Sequence, residues 1–226
     1  MSSLALVALL EAISEIGDLY VGRPTVSASP AVLKKLRATG RAQTVLLSSH
    51  FERYFYAVNE EAVTHLNVNA VSSAALPNSL KLLHSKDPVN DVADTDWERR
   101  DAKLVAFLTA EGWLWNPTLS GTLNHTRLLA WMSAPKPKNL VRYYKYWEIA
   151  DIFSAVTRSE HTRTRLWLGV QELVEKRNNI AHGDYTAQAT NADVQRFTKT
   201  VRVFCTRADA RLGAVLRRYC PGPSPW

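Results

Sequence analysis

The sequence Arg-Asn-Asn-Ile-Ala-His at residues 177–182, called the motif below, joins an amphipathic segment to a turn. In the preceding segment, residues 162–176, apolar side chains recur at helical spacing. They are Leu166, Leu168, Val170, Leu173 and Val174. Gly183 follows the motif, and glycine often ends a helix because it adopts a positive φ at little cost. The pattern predicts a helix whose last turn carries a cation, two amides and an imidazole.

The geometry of a helix limits how these side chains can meet. On a continuous helix Arg177 and His182 lie about 140° apart around the axis, whereas Asn178 and His182 lie one turn apart on one face. Two arrangements would bring the guanidinium to the imidazole. Either the long arginine side chain bends round the helix, or the helix breaks within the motif.

Helical spacing also predicts the first elements of the chain. Residues 4–19 carry an apolar side chain at every third position, which indicates an amphipathic helix ended by Gly22 and Pro24. Ser29 and Pro30 are residue types preferred at the N-cap and the first helical position, so they predict the start of a second helix.

A long helix is predicted after this start. Residues 41–71 contain no glycine and no proline, and their apolar side chains supply core positions. Gly40 either interrupts the helix that begins at Pro30 or is tolerated within it.

The middle of the chain predicts shorter elements. Residues 87–95 are polar and contain a proline, which indicates a loop. Asp94 or Thr95 is expected to cap a helix over residues 97–110. Residues 140–156 predict one continuous helix.

Five aromatic residues lie within residues 140–156. They are Tyr143, Tyr144, Tyr146, Trp147 and Phe153. Aromatic side chains at this spacing either stack on nucleic-acid bases or line a packing face, with the tyrosine hydroxyls at its rim. The packing alternative is the one we expect.

The last helix completes an all-α prediction. Thr190 and Asp193 form a capping-box pattern that begins a helix extending to about residue 219. No segment alternates apolar and polar residues in a way that favours a strand. The sequence therefore predicts an all-α helical bundle with the motif on a central hairpin.

The chain is basic, which favours an acidic partner. It has 226 residues, a formal net charge of +7 and a pI near 9.5. Such a balance is typical of proteins that bind RNA or DNA, although many other soluble proteins are basic too. Lys176, Arg202 and Arg207 are the candidate RNA-binding residues. The arginines of the last helix either follow a phosphate backbone or form an ordinary solvated face.

Other patterns indicate no cofactor, no metal and a cytoplasmic location. The two cysteines, Cys205 and Cys220, are too far apart on one helix to bridge, which fits a reducing compartment. Residues 1–10 lack the basic start of a signal peptide, and no apolar run is long enough to span a membrane. No Cys/His cluster has zinc spacing, and no glycine-rich phosphate loop is present.

The motif itself has two interpretations. Histidine exchanges protons near neutral pH and arginine binds phosphate oxygens, so Arg177 and His182 could cleave RNA without a metal. Alternatively both side chains cap the helix, because cations favour the negative end of the helix dipole. Asn178 either orients the catalytic groups or is an ordinary surface amide.

The string Arg-Asn-Asn-Ile-Ala-His-Gly, together with its helical context, resembles the signature of HEPN domains. The likeness is greatest to the RiboL-PSP-HEPN branch and extends over roughly residues 42–218. It implies a helical bundle of the HEPN type with extra helices. We expect residues 1–28 to form an N-terminal helix and linker, residues 29–220 the HEPN-like domain, and residues 221–226 a proline-rich tail.

The resemblance also implies an activity. It implies a metal-independent endoribonuclease, a toxin or an antiviral-defence effector, with Arg177, Asn178 and His182 as catalytic residues. It further implies a homodimer with two facing motifs, and an antitoxin or defence-system partner. The alternative is a non-catalytic HEPN-like module that binds nucleic acid or acts as an antitoxin or scaffold. In related toxins a tyrosine two residues after the histidine is modified with AMP; here Asp184 has that position and Tyr185 follows it.

Overall fold

The computed structural model describes residues 2–19, 29–184, 186–222 and 224–226, and within them the backbone forms helices and no strand. The helices are α1 (Leu4–Asp18), α2 (Pro30–Val68), α3 (Asn78–Ala93), α4 (Trp97–Glu111), α5 (His125–Leu129), α6 (Pro137–Tyr146), α7 (Ile152–Val156), α8 (Glu160–Ala181) and α9 (Asn191–Tyr219). Two 3-10 turns lie at Ser73–Ala75 and Gly112–Leu114. The all-α prediction is confirmed.

The two longest helices, α2 and α9, form the centre of the bundle. Phe51 and Phe55 of α2 are fully buried, and the Phe51 ring packs edge-on against Phe204 of α9, with centroids 6.4 Å apart. Helix α1 packs against both, and its apolar face joins the same core. This confirms the predicted first helix. Its expected end at Gly22 and Pro24 lies outside the described residues.

Helix α2 runs without interruption from Pro30, with Ser29 as its N-cap. The Ser29 hydroxyl accepts a hydrogen bond from the Val32 N–H, as predicted from the Ser-Pro pair. Gly40 is tolerated because the backbone of the loop before α9 lies directly against it. A Cβ at Gly40 would lie 2.2 Å from the Ala189 carbonyl oxygen. The close approach explains why glycine occupies this position.

The predicted loop over residues 87–95 is wrong, because α3 continues through Pro88 to Ala93. Contacts with α4 stabilise this segment: Lys103 pairs with Asp91, and Arg100 donates hydrogen bonds to the Ala93 and Thr95 carbonyls. These contacts come from the following helix, which the proline signal does not take into account.

The predicted cap of the next helix is also wrong. Helix α4 follows Asp96 as its N-cap, and neither Asp94 nor Thr95 has that position. The Thr95 hydroxyl instead donates to the Asp91 carbonyl at the end of α3. The helix itself covers nearly the expected residues, ending at Glu111.

The predicted continuous helix over residues 140–156 is wrong, because it breaks into α6 and α7. Glu148 has a φ of 59° at the break, and Asp151 caps α7 by accepting the Phe153 N–H. The Tyr219 hydroxyl donates to the Trp147 carbonyl, a backbone group at the break. A residue from the far end of α9 therefore stabilises a bend that the local sequence does not signal.

The aromatic residues of this region pack in the core, as expected. Tyr143, Tyr144 and Trp147 are fully buried, so their rings are not available for stacking on bases. The expected rim position of the hydroxyls is wrong for Tyr143 and Tyr144, and it is confirmed for the half-buried Tyr146, whose hydroxyl accepts a hydrogen bond from Arg142 Nε at 3.0 Å. The Tyr143 hydroxyl donates to Asn59 Oδ1 at 3.3 Å, inside the bundle.

Helices α8 and α9 form the hairpin that carries the motif. They approach closely at Gly169, where a Cβ would lie 2.7 Å from Thr200 Oγ1. The predicted capping box at Thr190 and Asp193 is confirmed, with both reciprocal hydrogen bonds formed. After α9 the chain turns back, and the Trp226 indole packs beside Gly213. None of the described helices has the length and apolar character needed to cross a membrane.

Candidate active site

The motif forms the C-terminal end of α8, and the helix is continuous through it to Ala181. Of the two arrangements that the sequence leaves open, a break within the motif is therefore excluded. His182 is the C-cap residue, with φ −81° and ψ 7°, and it is exposed. Gly183 has a φ of 79°, which confirms its predicted role in ending the helix.

The helix end is capped by its own backbone. The His182 N–H donates to the Asn178 carbonyl, the Gly183 N–H to Ile180, and the Asp184 N–H to Asn179, at 2.9, 3.1 and 3.0 Å. The last two bonds have the pattern of a Schellman motif, with glycine at the left-handed position. These carbonyls therefore have partners without any side-chain contribution from Arg177 or His182. A hydrogen-bond cap from these side chains is thus not needed, while the attraction of cations to the helix dipole stays an alternative to catalysis.

Asn178 contacts both proposed catalytic residues. Arg177 Nη1 donates to Asn178 Oδ1 at 3.1 Å, and the Asn178 carbonyl accepts the His182 N–H. The arginine thus bends toward the helix face that carries Asn178 and His182. Among the described residues, no direct hydrogen bond joins the Arg177 guanidinium to the His182 imidazole. The bond to His182 is the ordinary backbone bond of the helix, so the Asn178 side chain is linked to the arginine, and its catalytic role stays a prediction.

A compact turn follows the motif. Asp184 Oδ1 accepts hydrogen bonds from the Thr186 hydroxyl and the Thr186 N–H, at 2.6 and 2.8 Å. These bonds stabilise the carboxylate and lower the pKa of Asp184. The aspartate at the position two residues after His182 thus serves as a turn-forming residue. Tyr185, considered above as a modification site, lies outside the described residues.

Of the three candidate RNA-binding residues, only Lys176 lies at this end of the hairpin. Lys176 Nζ donates to the Gln188 carbonyl at 3.0 Å, which ties the last turns of α8 to the loop before α9. Arg202 and Arg207 lie about 17 and 24 Å along α9 from its first residue, at 1.5 Å per residue. Arg207 donates to the Val156 carbonyl at the end of α7, and Arg202 lines a separate cleft beside α1.

Sequence reasoning missed a group of cations that belongs to this end of the molecule. Lys34, Arg37 and Arg41 of α2 line a cleft together with Gln188, in the loop that follows the motif. Their signal in the sequence is a run of four cations and no carboxylate over residues 30–51. That signal shows a basic segment, but only the fold places it beside the motif loop.

No group of three or more His, Cys, Asp or Glu side chains positioned to hold a metal ion occurs among the described residues. The described part of the motif end presents cationic and amide groups, with Asp184 occupied by its turn. The chemistry that these groups can perform is binding an anion and exchanging a proton.

Comparison with known proteins identifies the family. The family model described as RiboL-PSP-HEPN matches residues 8–213, from within α1 almost to the end of α9. This range includes the motif and the hairpin that carries it, and it begins earlier than the resemblance recognised in the sequence. No curated protein and no solved structure gives a significant match. Since the family model covers most of the chain, the protein belongs to the RiboL-PSP-HEPN family.

Proposed function

We propose that this protein is a metal-independent endoribonuclease of the HEPN type, and that it serves as a toxin or an effector of antiviral defence. One observation carries the proposal: Arg177 Nη1 donates to Asn178 Oδ1, on the helix face that also carries the exposed His182. In a member of a ribonuclease-associated family, such a group is best explained by a role in chemistry.

The reaction assigned to this group is attack by the ribose 2′-hydroxyl on the adjacent phosphorus. His182 accepts the 2′-OH proton as the 2′-oxygen bonds to phosphorus. Arg177 holds the phosphate oxygens and stabilises the charge that accumulates on them. The bond from phosphorus to the 5′-oxygen then breaks, and the leaving oxygen takes a proton from an acid. The products are a 2′,3′-cyclic phosphate and a 5′-hydroxyl.

Asn178 is assigned a positioning role. Its side-chain oxygen holds the Arg177 guanidinium at 3.1 Å, and its carbonyl accepts the His182 N–H. An arginine held in this way loses less freedom when it binds phosphate, because its side chain is already ordered. The amide therefore supports the arginine without touching the proton that moves, and the bond from the His182 N–H is the ordinary one of the helix.

A homodimer would supply the second proton-transfer group. The only other histidine on α8, His161, lies at the opposite end of that helix, about 31 Å away at 1.5 Å per residue. Two facing motifs in a symmetric dimer would provide one histidine as base and one as acid. We propose this arrangement, with RNA as substrate and with an antitoxin or defence protein as a further partner.

The test is cleavage of an end-labelled RNA in the presence of EDTA. We expect cleavage to continue, and the products to end in a 2′,3′-cyclic phosphate or its hydrolysis product, because no step of the mechanism requires a metal. Loss of cleavage in EDTA with recovery in magnesium would overturn the mechanism. Absence of cleavage under all conditions, with RNA still bound, would instead support the non-catalytic module.

A further inference from the structure

The first turns of α2 project beyond the core of the bundle. Side chains between Pro30 and Ala38 are exposed or half-buried, and the first buried residue of the helix is Gly40. Residues 30–51 contain four cations, Lys34, Lys35, Arg37 and Arg41, and no carboxylate. In a folded protein such a segment is a local excess of positive charge that its own helix does not neutralise.

Three of these cations share one face of the helix. Lys34, Arg37 and Arg41 have a spacing of three and four residues, so they lie along one side. They line an open cleft of about 510 Å³ that also includes Gln188. We call these three residues the basic face of α2. The residues that line the cleft include no carboxylate and no aromatic side chain.

The fold fixes the basic face against the loop that follows the motif. The backbone at Gly40 approaches Ala189 so closely that a Cβ would lie 2.2 Å from the Ala189 oxygen. The next residue toward the motif, Gln188, accepts the Lys176 ammonium at its carbonyl, at 3.0 Å. Lys176 directly precedes Arg177. The basic face is therefore joined through one loop to the end of α8 that carries the motif, where Glu175 and Asp193 are the acidic neighbours of Lys176.

We propose that the basic face of α2 binds the phosphodiester backbone of single-stranded RNA beside the position where the motif acts. Cations that contact phosphates supply affinity without reading sequence. Because the cleft has no aromatic lining, it lacks a platform for stacking bases. The inference rests on the proposed function for its substrate class, but it concerns binding and not cleavage.

The experiment measures binding of a labelled single-stranded RNA of mixed sequence to the full chain carrying His182→Ala, so that the probe stays intact. The test variant adds Lys34→Gln, Arg37→Gln and Arg41→Gln. Each phosphate contact contributes about 0.7 to the slope of log K against log salt for single strands. We expect weaker binding, and a salt slope smaller in magnitude by about 2.

A matched control removes the same charge elsewhere. Arg99, Lys138 and Arg217 are exposed and lie on α4, α6 and the far end of α9. Their triple change to glutamine should leave the salt slope unaltered. Equal weakening by both triple variants would show that only net charge matters, and unchanged binding in the test variant would show an ordinary solvated face. Either result overturns the proposal.

A second variant distinguishes weaker RNA binding from loss of folding. Arg41 is half-buried, whereas Lys34 and Arg37 are exposed, so Lys34→Glu with Arg37→Glu should fold like the parent and still weaken RNA binding. The two proposals fail separately. If the parent does not cleave RNA but the basic face binds it, the proposed activity alone is wrong. If the parent cleaves RNA and the basic face does not affect binding, this inference alone is wrong.

Discussion

Two helical hairpins of this protein are held together by different forces. Helix α9 of the α8–α9 hairpin buries side chains on every turn from Val194 to Tyr219. We call the α3–α4 hairpin the arm. Among the residues of α4, which the structure describes from Trp97 to Glu111, only Glu111 is buried. The apolar side chains of α4 at Trp97 and Val105 are 77% and 62% exposed. The motif thus lies on a hairpin built into the core, while in the arm α3 buries two leucines in the same core and α4 lies at the periphery.

Polar contacts add to the apolar contacts of α3 in holding the arm to the body. Glu111, at the end of α4, pairs with Arg127, and its Oε2 lies 3.0 Å from His84 Nδ1 on α3. His84 Nε2 accepts the Asn124 N–H at 2.8 Å. That nitrogen therefore carries no proton, and the proton of the neutral ring is on Nδ1, which lies close to the Glu111 carboxylate but outside hydrogen-bonding geometry. The difference teaches that the two hairpins keep their geometry in different ways: dense packing fixes the rotamers along α9, whereas polar pairs fix the end of α4.

The largest expected loss of stability comes from a substitution in the core of the α8–α9 hairpin. Phe204→Ala removes a fully buried ring that packs against Phe51 and Phe153, so it should lower the free energy of unfolding by about 3–5 kcal/mol. Leu108→Ala, on the exposed side of α4, should change it by about 0.5 kcal/mol or less. Urea unfolding followed by circular dichroism measures both. Similar losses would contradict the contrast between the hairpins.

A smaller effect is expected where α2 meets the motif loop. Gly40→Ala forces the backbone at Ala189 to move, which should cost about 1–3 kcal/mol. Gly17→Ala is the matched control, because a Cβ there meets nothing within 4 Å and alanine favours a helix. Thermal melts should show Gly40→Ala below the parent and Gly17→Ala at or slightly above it. A Gly40→Ala variant that melts at the parental temperature would mean that the loop at Ala189 does not pack closely against α2.

The smallest expected effect is a change with pH in the stability of the arm. Burial lowers the pKa of His84, although the nearby Glu111 carboxyl opposes the shift. The folded state therefore favours the neutral ring. The contribution of the neutral His84 ring to the free energy of unfolding is complete above the ordinary histidine pKa of about 6.5. This contribution declines as the pH falls from there toward the pKa of His84 in the folded state.

Hydrogen exchange of the α3 and α4 amides would detect this decline. After correction for the intrinsic pH dependence of exchange, their protection should fall between pH 7 and pH 5 while that of α9 is retained. His84→Gln has no titrating group, so its arm should lose this pH dependence. An arm whose protection is the same at both pH values in the parent would refute the role assigned to His84.

Local signals in the sequence predicted the elements that depend on local interactions. The Ser29–Pro30 pair, the Thr190–Asp193 capping box and the helix end at Gly183 were all predicted correctly, because each depends on residues a few positions apart. The helical path through Pro88 and the break at Glu148 were missed. Contacts from the next helix, α4, and from Tyr219, which is 72 residues from its partner, stabilise them.

The candidate site divides in the same way. Arg177, Asn178 and His182 are close in sequence, so their grouping at a helix end could be predicted from spacing. The basic face of α2 lies some 140 residues earlier in the chain. Its position beside the motif loop depends on the close contact of Gly40 with Ala189, which no pattern of residues reveals. Arg202 and Arg207 were chosen for charge alone, and the fold places them far along α9.

The most direct test of the central claim compares two histidines at opposite ends of α8. His182→Ala should lower the rate of RNA cleavage by roughly 10²-fold or more, since it removes the proton-transfer group, with little change in the thermal melt. His161→Ala, also exposed, should cleave at the parental rate. Cleavage by the His182 variant at the parental rate, whether or not it melts earlier, would contradict the account.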